Sequence, residues 1–172
     1  AMATSFAVVT GHEDPTKEAT GVNWQHIAGG ADTLTFVMGL GNLPEIVRQL
    51  QAYGRDAATP AAVVRWGTKP EQQTVVGTLG TIADEVAKAG LKPPGLLVVG
   101  DVVGLRPQLN WFEEKPLFGA RVVVTRARKQ AGELARLLRN DGAYVMSVPA
   151  IRTVATDNIS EQDAVLSALD SY

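Results

Sequence analysis

The chain has 172 residues, of which 45% are hydrophobic and 20% are charged, the composition of an ordinary globular protein. A net charge of -2 does not favour binding to nucleic acid or to an anionic membrane surface, and no apolar run reaches the roughly 18 residues of a membrane helix. Cysteine is absent, which excludes disulfides, thiolate metal sites and cysteine nucleophiles. We therefore expect a folded protein of the cytoplasm that binds neither nucleic acid nor membranes.

The first part of the chain predicts an α/β layer. Asn23 is expected to cap a helical turn, and Asn42 and Thr81 two longer helices, with Glu45 and Asp84 in the capping-box position. Two long helices are too few for a fully parallel sheet with helices on both faces, so we predict a mixed five-stranded sheet. Apolar, β-branched runs predict its strands at about 6–10, 33–38, 61–66, 73–78 and 96–100. The inner face of the first long helix is predicted to consist of Leu43, Ile46, Val47 and Leu50.

The second part of the chain predicts a βαβ unit. Strands are expected at 121–125 and 144–149, joined by a helix from about 127 to 141 that crosses over with right-handed geometry. A further helix is expected to begin near Ser160, but no strand follows it. We therefore predict that this βαβ unit is an incomplete part of a doubly wound parallel sheet. We expect the inner face of the crossover helix to consist of Ala131, Leu134, Ala135, Leu137 and Leu138.

A change of composition separates the two parts. Acids, a proline and an aromatic residue in 113–119 are typical of a linker. We therefore predict a first domain at 4–112 and an incomplete second domain at 120–172. Residues 1–3 are expected to be an expression scar, and the whole chain a piece of a longer protein.

Generic motifs leave the function open. Gly39 and Gly41 lie between a strand and a helix, but Pro44 occupies the place of the third glycine of a dinucleotide fingerprint. His12 and His26 lack the spacing of a metalloprotease pair, so no metal site is predicted. Several arginines in 121–139 form either a solvated helix face or an anion-binding rim, and both alternatives remain open.

A series of short sequence strings in residues 6–112 is more specific for one protein family than these motifs are. The strings are Val9-Thr10-Gly11-His12, Val37-Met38-Gly39, Thr59-Pro60-Ala61-Ala62, Gly67-Thr68 with Gln72-Gln73, and Val99-Gly100-Asp101 continuing to Trp111. In this order they resemble the S-adenosylmethionine-dependent uroporphyrinogen-III C-methyltransferases of the tetrapyrrole methylase family. The family has Glu where Asp101 stands.

The second part resembles the beginning of a uroporphyrinogen-III synthase. The resemblance is carried by Val122-Val123-Val124-Thr125-Arg126, Gly142-Ala143 and Pro149-Ala150-Ile151. Together the two resemblances imply a bifunctional enzyme of porphyrin biosynthesis, towards precorrin-2 and from there siroheme or cobalamin. They also imply that the N-terminal lobe of a homodimeric methyltransferase is missing here, and that this piece alone is inactive.

The resemblance further implies where the ligands bind. In the family, S-adenosylmethionine lies in a cleft between two lobes, and the positions that match cofactor contacts here are Met38 and Gly67. Pro94 and Gly95 are expected to border the same pocket. His12 matches a position that faces the tetrapyrrole substrate, and no catalytic residue is identified. Methyl transfer from an activated donor needs alignment of the reactants more than a metal or a covalent nucleophile.

Two other functions stay open at this point. The chain is then either a non-catalytic dimerisation or scaffold lobe, or part of a related methyltransferase that acts on another precorrin. The synthase-like second part argues against the latter.

Overall fold

The structure is a computed structural model that describes residues 2–11, 21–152, 154 and 159–168. Its first part contains the strands β1 (Phe6–Thr10), β2 (Thr33–Val37), β3 (Pro60–Arg65), β4 (Gln73–Thr78) and β5 (Gly95–Val99). The helices of this part are α1 (Trp24–Gly30), α2 (Leu43–Ala52), α3 (Ile82–Lys88) and α4 (Arg106–Leu109), with 3-10 segments at Leu40–Asn42 and Asp101–Leu105. The second part contains β6 (Arg121–Val124), α5 (Arg128–Asn140), β7 (Tyr144–Ser147) and α6 (Ile159–Ser167).

The five strands of the first part form one mixed sheet in the order β1-β2-β5-β3-β4. β1 and β2 are parallel, whereas β5 runs antiparallel to both β2 and β3, and β4 antiparallel to β3. The α/β class with a mixed five-stranded sheet is therefore confirmed. This order brings the carboxyl ends of β1, β2 and β3 to the same edge of the sheet, where β5 begins.

The core lies between this sheet and the helices. Leu34 and Phe36 of β2 are fully buried, and the Trp24 ring stacks on Phe36 with 6.0 Å between centroids. The predicted inner face of α2 is confirmed, because all four of its residues are buried. Each such aliphatic side chain contributes about 1.5–3 kcal/mol by leaving water. The buried residues of α2 are Leu43, Ile46, Val47 and Leu50.

The predicted helix caps are only partly correct. Asn23 caps α1 as expected, since its side chain accepts a hydrogen bond from the His26 backbone N–H at 3.2 Å. Asn42 caps nothing with its side chain, which instead donates to the carbonyl oxygen of Gly11 at 3.0 Å. The Thr81 hydroxyl likewise accepts from the backbone N–H of Thr78 at 3.0 Å and does not cap α3. In both cases a backbone group outside the helix competes for the side chain, Gly11 after β1 for Asn42 and Thr78 at the end of β4 for Thr81, so the capping boxes are wrong.

The second part contains a small parallel sheet of β6 and β7 with α5 packed against it. Ala131 and Ala135 of α5 are buried, but Leu134 and Leu137 are 38% and 48% exposed. The predicted inner face of this helix is therefore wrong for the two leucines. A sheet of two strands is too narrow to cover the whole apolar stripe. None of the helices in the described ranges is both long and apolar enough to cross a membrane.

Candidate functional site

The edge of the sheet where β1, β2 and β3 end brings two of the predicted site residues together. Phe36 of β2 pairs with Leu97 of β5, and Arg65 of β3 pairs with Gly95. Continuing the first register by two residues places Met38 beside Gly95. Strands lie about 4.8 Å apart, so the backbones of Met38 and Arg65 are roughly 10 Å apart across β5. Met38 and the loop that holds Gly67 thus flank the start of the same strand.

The backbone at this edge is strained. In the described part of the chain, the non-glycine residues with positive φ are Met38 at 56°, Trp66 at 51° and Thr68 at 63°. Side chains with a Cβ rarely adopt this left-handed conformation, and each instance costs about 1–3 kcal/mol. One of the three is a predicted cofactor contact, and the other two flank Gly67, the second predicted contact. Such strain concentrates at functional sites in folded proteins.

Both predicted cofactor positions are open to solvent. The Met38 side chain is 62% exposed although it directly follows a buried strand. A Cβ added at Gly67 would meet Val64 Cγ1 at 3.5 Å and Gln72 Oε1 at 3.8 Å, which are ordinary contacts. Packing within the chain therefore does not require a glycine at position 67.

The loops after β1 and β2 contact each other through glycines. A Cβ on Gly11 would lie 2.6 Å from the Cα of Gly39, a distance that real Cβ atoms essentially never show. The Gly11 N–H donates to the Val37 carbonyl at 2.8 Å, and the Gly11 carbonyl accepts from the Asn42 side chain. These contacts fix the point from which the chain leaves β1. The predicted substrate residue His12 follows directly in sequence but lies outside the described residues.

Polar side chains hold the Trp66–Thr68 segment in its strained form. The Thr68 N–H donates to Gln72 Oε1 at 2.7 Å, and the Arg65 guanidinium lies 3.7 Å from the centre of the Trp66 ring. Arg65 Nε is buried without a hydrogen-bond partner in the structure, so one donor at this edge is unused. In the sequence, Gln72 is only part of a family-like string, because nothing local indicates that it turns back onto Thr68.

Glu113 belongs to the segment 113–119, which separates the first part of the chain (the first unit) from the second part (the second unit). Its hydrogen bonds connect this segment to the loop. Its Oε1 accepts from Gln72 Nε2 at 2.9 Å and from the Thr74 hydroxyl at 2.7 Å, and its Oε2 accepts from Arg106 Nη2 at 2.6 Å. Burial by itself would raise the pKa of Glu113, but the hydrogen bonds from Thr74, Gln72 and Arg106 hold that pKa below its ordinary value. In the sequence, Glu113 belongs only to the predicted linker, because its partners Gln72 and Thr74 lie 41 and 39 residues away.

A cleft of about 490 Å³ lies between the same loop and the second unit. Trp66, Thr68 and Lys69 line one wall, while Arg139 and Tyr144 lie on the other. Arg139 belongs to the arginine-rich segment noted in the sequence. Among the residues that the structure describes, no three His, Cys, Asp or Glu side chains form a group suited to hold a metal ion.

The sequence and the fold of the chain are both similar to one class of known proteins. Residues 2–83 match the family model for tetrapyrrole (corrin/porphyrin) methylases. Structural neighbours of the chain are tetrapyrrole methylases as well, so sequence and fold agree on the class.

The similar proteins include uroporphyrinogen-III C-methyltransferases and siroheme synthases. One uroporphyrinogen-III C-methyltransferase of Bacillus subtilis is 34% identical over 171 residues, which are 99% of this chain and 35% of that protein. The enzyme of the same name from Priestia megaterium is 46% identical over 99 residues, 58% of this chain and 41% of that protein. The chain thus spans well under half the length of each.

A solved structure agrees with these relatives. The uroporphyrin-III C-methyl transferase of Thermus thermophilus, complexed with S-adenyl homocysteine, superposes with a TM-score of 0.51 and 28% sequence identity. The superposition covers 60% of this chain and 45% of that one.

Proposed function

We propose that this chain is part of an S-adenosylmethionine-dependent uroporphyrinogen-III C-methyltransferase, and that Met38 and Gly67 contact the cofactor. One observation carries the proposal. The strained residues Met38, Trp66 and Thr68 coincide with the two positions that the family resemblance selects. The relatives described above support the same methyltransferase activity, and tetrapyrrole methylases use S-adenosylmethionine.

The residues at this edge fit an adenosyl group. Met38 offers an exposed, polarizable thioether, which packs favourably on an aromatic ring. Trp66 and Thr68, on either side of Gly67, have left-handed backbones, and Gly67 itself has no side chain that would block the approach of a ligand to this exposed loop. When bound, S-adenosylmethionine supplies a methyl group that its sulfonium already activates. The chain's own residues then have to orient the cofactor and the tetrapyrrole and to exclude water.

We further propose that the second unit is the beginning of a uroporphyrinogen-III synthase domain. Because 171 residues are 35% of the Bacillus subtilis relative, that protein is about 490 residues long, whereas 99 residues at 41% make the Priestia megaterium protein about 240. Similarity to the longer protein extends through residues 113–172, whereas similarity to the shorter one covers only 99 residues. In this proposal His12 faces the tetrapyrrole, the product serves siroheme or cobalamin synthesis, the enzyme is a cytoplasmic homodimer, and the chain alone is inactive.

Titration with S-adenosylhomocysteine tests the cofactor site. We expect a Kd in the micromolar range or weaker for this chain, because in this proposal the cofactor lies between two lobes and the chain provides one of them. Met38→Ala should raise that Kd about tenfold, the effect of losing roughly 1.4 kcal/mol of contact. Met146→Ala is a matched control, because Met146 is 46% exposed in β7 of the second unit. Nanomolar binding, or equal affinity of both variants, would contradict the proposal.

A scaffold or dimerisation lobe is the second candidate function. Phe6 and Val8 of the outer strand β1 are 76% and 61% exposed, and within the described ranges β1 pairs only with β2. Such an edge favours association with another chain. Sedimentation velocity should then show self-association that Phe6→Lys weakens, and a strictly monomeric profile at high concentration would count against this function.

A further inference from the structure

We propose that Gln72 is a positioning residue for the loop around Gly67, and that Glu113, in the segment between the two units, holds Gln72 in place. The inference rests on the proposed function, because the loop matters for activity only if Gly67 contacts the cofactor. It adds that the inter-unit segment controls the shape of the cofactor site.

The loop needs support from outside its own backbone. Trp66 and Thr68 both have positive φ, and a β-branched residue such as Thr68 is especially unfavourable there. Two successive turns bring the chain back, with the Lys69 N–H donating to the Trp66 carbonyl at 3.0 Å and the Gln72 N–H to the Lys69 carbonyl at 2.9 Å. The Gln72 side chain then accepts from the Thr68 N–H at 2.7 Å. This bond satisfies a donor that would otherwise turn to water, and it favours the left-handed form.

Glu113 determines which way the Gln72 amide faces. An amide whose oxygen accepts from Thr68 has only its two N–H groups left, and one of them donates to Glu113 Oε1 at 2.9 Å. Flipping the amide would place its NH2 against the Thr68 N–H and its oxygen against the carboxylate. Both contacts would be repulsive, so the charge on Glu113 selects the orientation that supports the loop.

Glu113 is itself held firmly. The Thr74 hydroxyl on β4 donates to the same oxygen as Gln72, and Arg106 at the start of α4 takes the other oxygen. The side chains of Arg106 and Glu113 are only 30% and 17% exposed, so water screens this ion pair less than a surface pair. A continuous series of hydrogen bonds therefore runs from α4 and the inter-unit segment through Gln72 to Thr68.

The position of this series explains why it would affect binding as well as stability. The same loop forms a wall of the cleft toward the second unit, through Trp66 and Thr68. A displacement of the inter-unit segment moves Glu113, and the loop loses the partner that stabilises its strained form. Cofactor affinity then becomes sensitive to residues that do not touch the cofactor.

The test compares Glu113→Ala and Gln72→Ala with Glu114→Ala in the whole chain. Glu114 is a neighbouring exposed carboxylate and serves as the matched control. Amide exchange of Thr68 is measured by NMR without ligand, and the Kd of S-adenosylhomocysteine by calorimetry. We expect faster Thr68 exchange and a Kd about 3–10 times higher in the first two variants, the effect of one hydrogen bond. Exchange of core amides such as Phe36 should not change, and Glu114→Ala should resemble the wild type.

A conservative variant separates positioning from general destabilisation. Glu113→Gln keeps an oxygen for Gln72 and Thr74 but lacks the charge, so it should recover part of the loss seen in Glu113→Ala. If Glu113→Ala leaves Thr68 exchange unchanged, or if the core amides accelerate equally, the inference is overturned. If the wild type does not bind S-adenosylhomocysteine, the proposed function fails, and Thr68 exchange alone then decides whether the inter-unit segment holds the loop.

Discussion

Met38 combines a strained backbone with an exposed side chain, which is a poor arrangement for stability alone. Glycine accepts positive φ without a steric penalty, so Met38→Gly should leave the free energy of unfolding unchanged or raise it by about 1 kcal/mol. The same variant should weaken S-adenosylhomocysteine binding, because the thioether is lost. Urea unfolding and calorimetry measure the two effects separately.

Met146→Gly is the control for that prediction. Met146 is similarly exposed but lies in the extended backbone of β7, where glycine should lower the free energy of unfolding by about 0.5–1 kcal/mol. An equal loss of stability in Met38→Gly would show that its backbone is not strained.

The carboxylate of Asp32 allows a prediction about pH at the residue scale. Hydrogen bonds from the backbone and hydroxyl of Thr4, and then from those of Ser5, lower the pKa of Asp32 from 3.8 to about 2. Because the folded pKa is the lower one, the anchoring of the N-terminal segment is fully present above the unfolded pKa of 3.8 and is lost as the pH falls towards about 2. A carboxyl NMR titration should give this midpoint. Replacing the two hydroxyl donors in Thr4→Val/Ser5→Ala should raise it part of the way towards 3.8, because the backbone donors remain, and an unchanged midpoint in that variant would contradict the contribution of the hydroxyls.

At the scale of elements, the close contact of the β1 and β2 ends depends on glycine. Gly11→Ala would bring a Cβ to 2.6 Å from backbone and should destabilise the chain by about 1–3 kcal/mol, as overpacking does. Gly29→Ala is the control, because that helical position has nothing within 4 Å and alanine favours a helix. Thermal unfolding should therefore move in opposite directions for the two variants. A harmless Gly11→Ala would mean that the two loops separate easily.

The helices also show which structural features can be predicted from a local sequence pattern and which cannot. The spacing of apolar residues identifies the buried face of α2, because that face repeats with the helix period. The same logic fails for Leu134 and Leu137 of α5, since exposure there depends on how many strands the sheet has. Nothing about a methionine indicates positive φ, so the strain at Met38 is visible only in three dimensions. Family-like strings nevertheless selected Met38 and Gly67, whose roles remain predictions.

At the scale of the whole molecule, the two units differ in how much apolar surface they bury. The core of the first unit includes Leu34, Phe36 and Leu97, which are 0–1% exposed. The buried apolar residues of the second unit, within the part that the structure describes, are one valine and three alanines. Alanine contributes little because each buried carbon adds only about 0.8 kcal/mol. They are Val124, Ala131, Ala135 and Ala143.

This difference predicts that the second unit opens without unfolding the first. Amide exchange followed by mass spectrometry should show peptides from β6 and β7 exchanging at least ~100 times faster than those from β2 and β5, equivalent to about 2.7 kcal/mol. Low urea should accelerate the β2 and β5 peptides steeply, because they exchange by global unfolding, and the β6 and β7 peptides only slightly. Val123→Thr on the exposed face of β6 is a control that should change neither class. Equal rates and equal urea dependence in both classes would show a single cooperative unit, and the second part would then not need a larger domain to stabilise it.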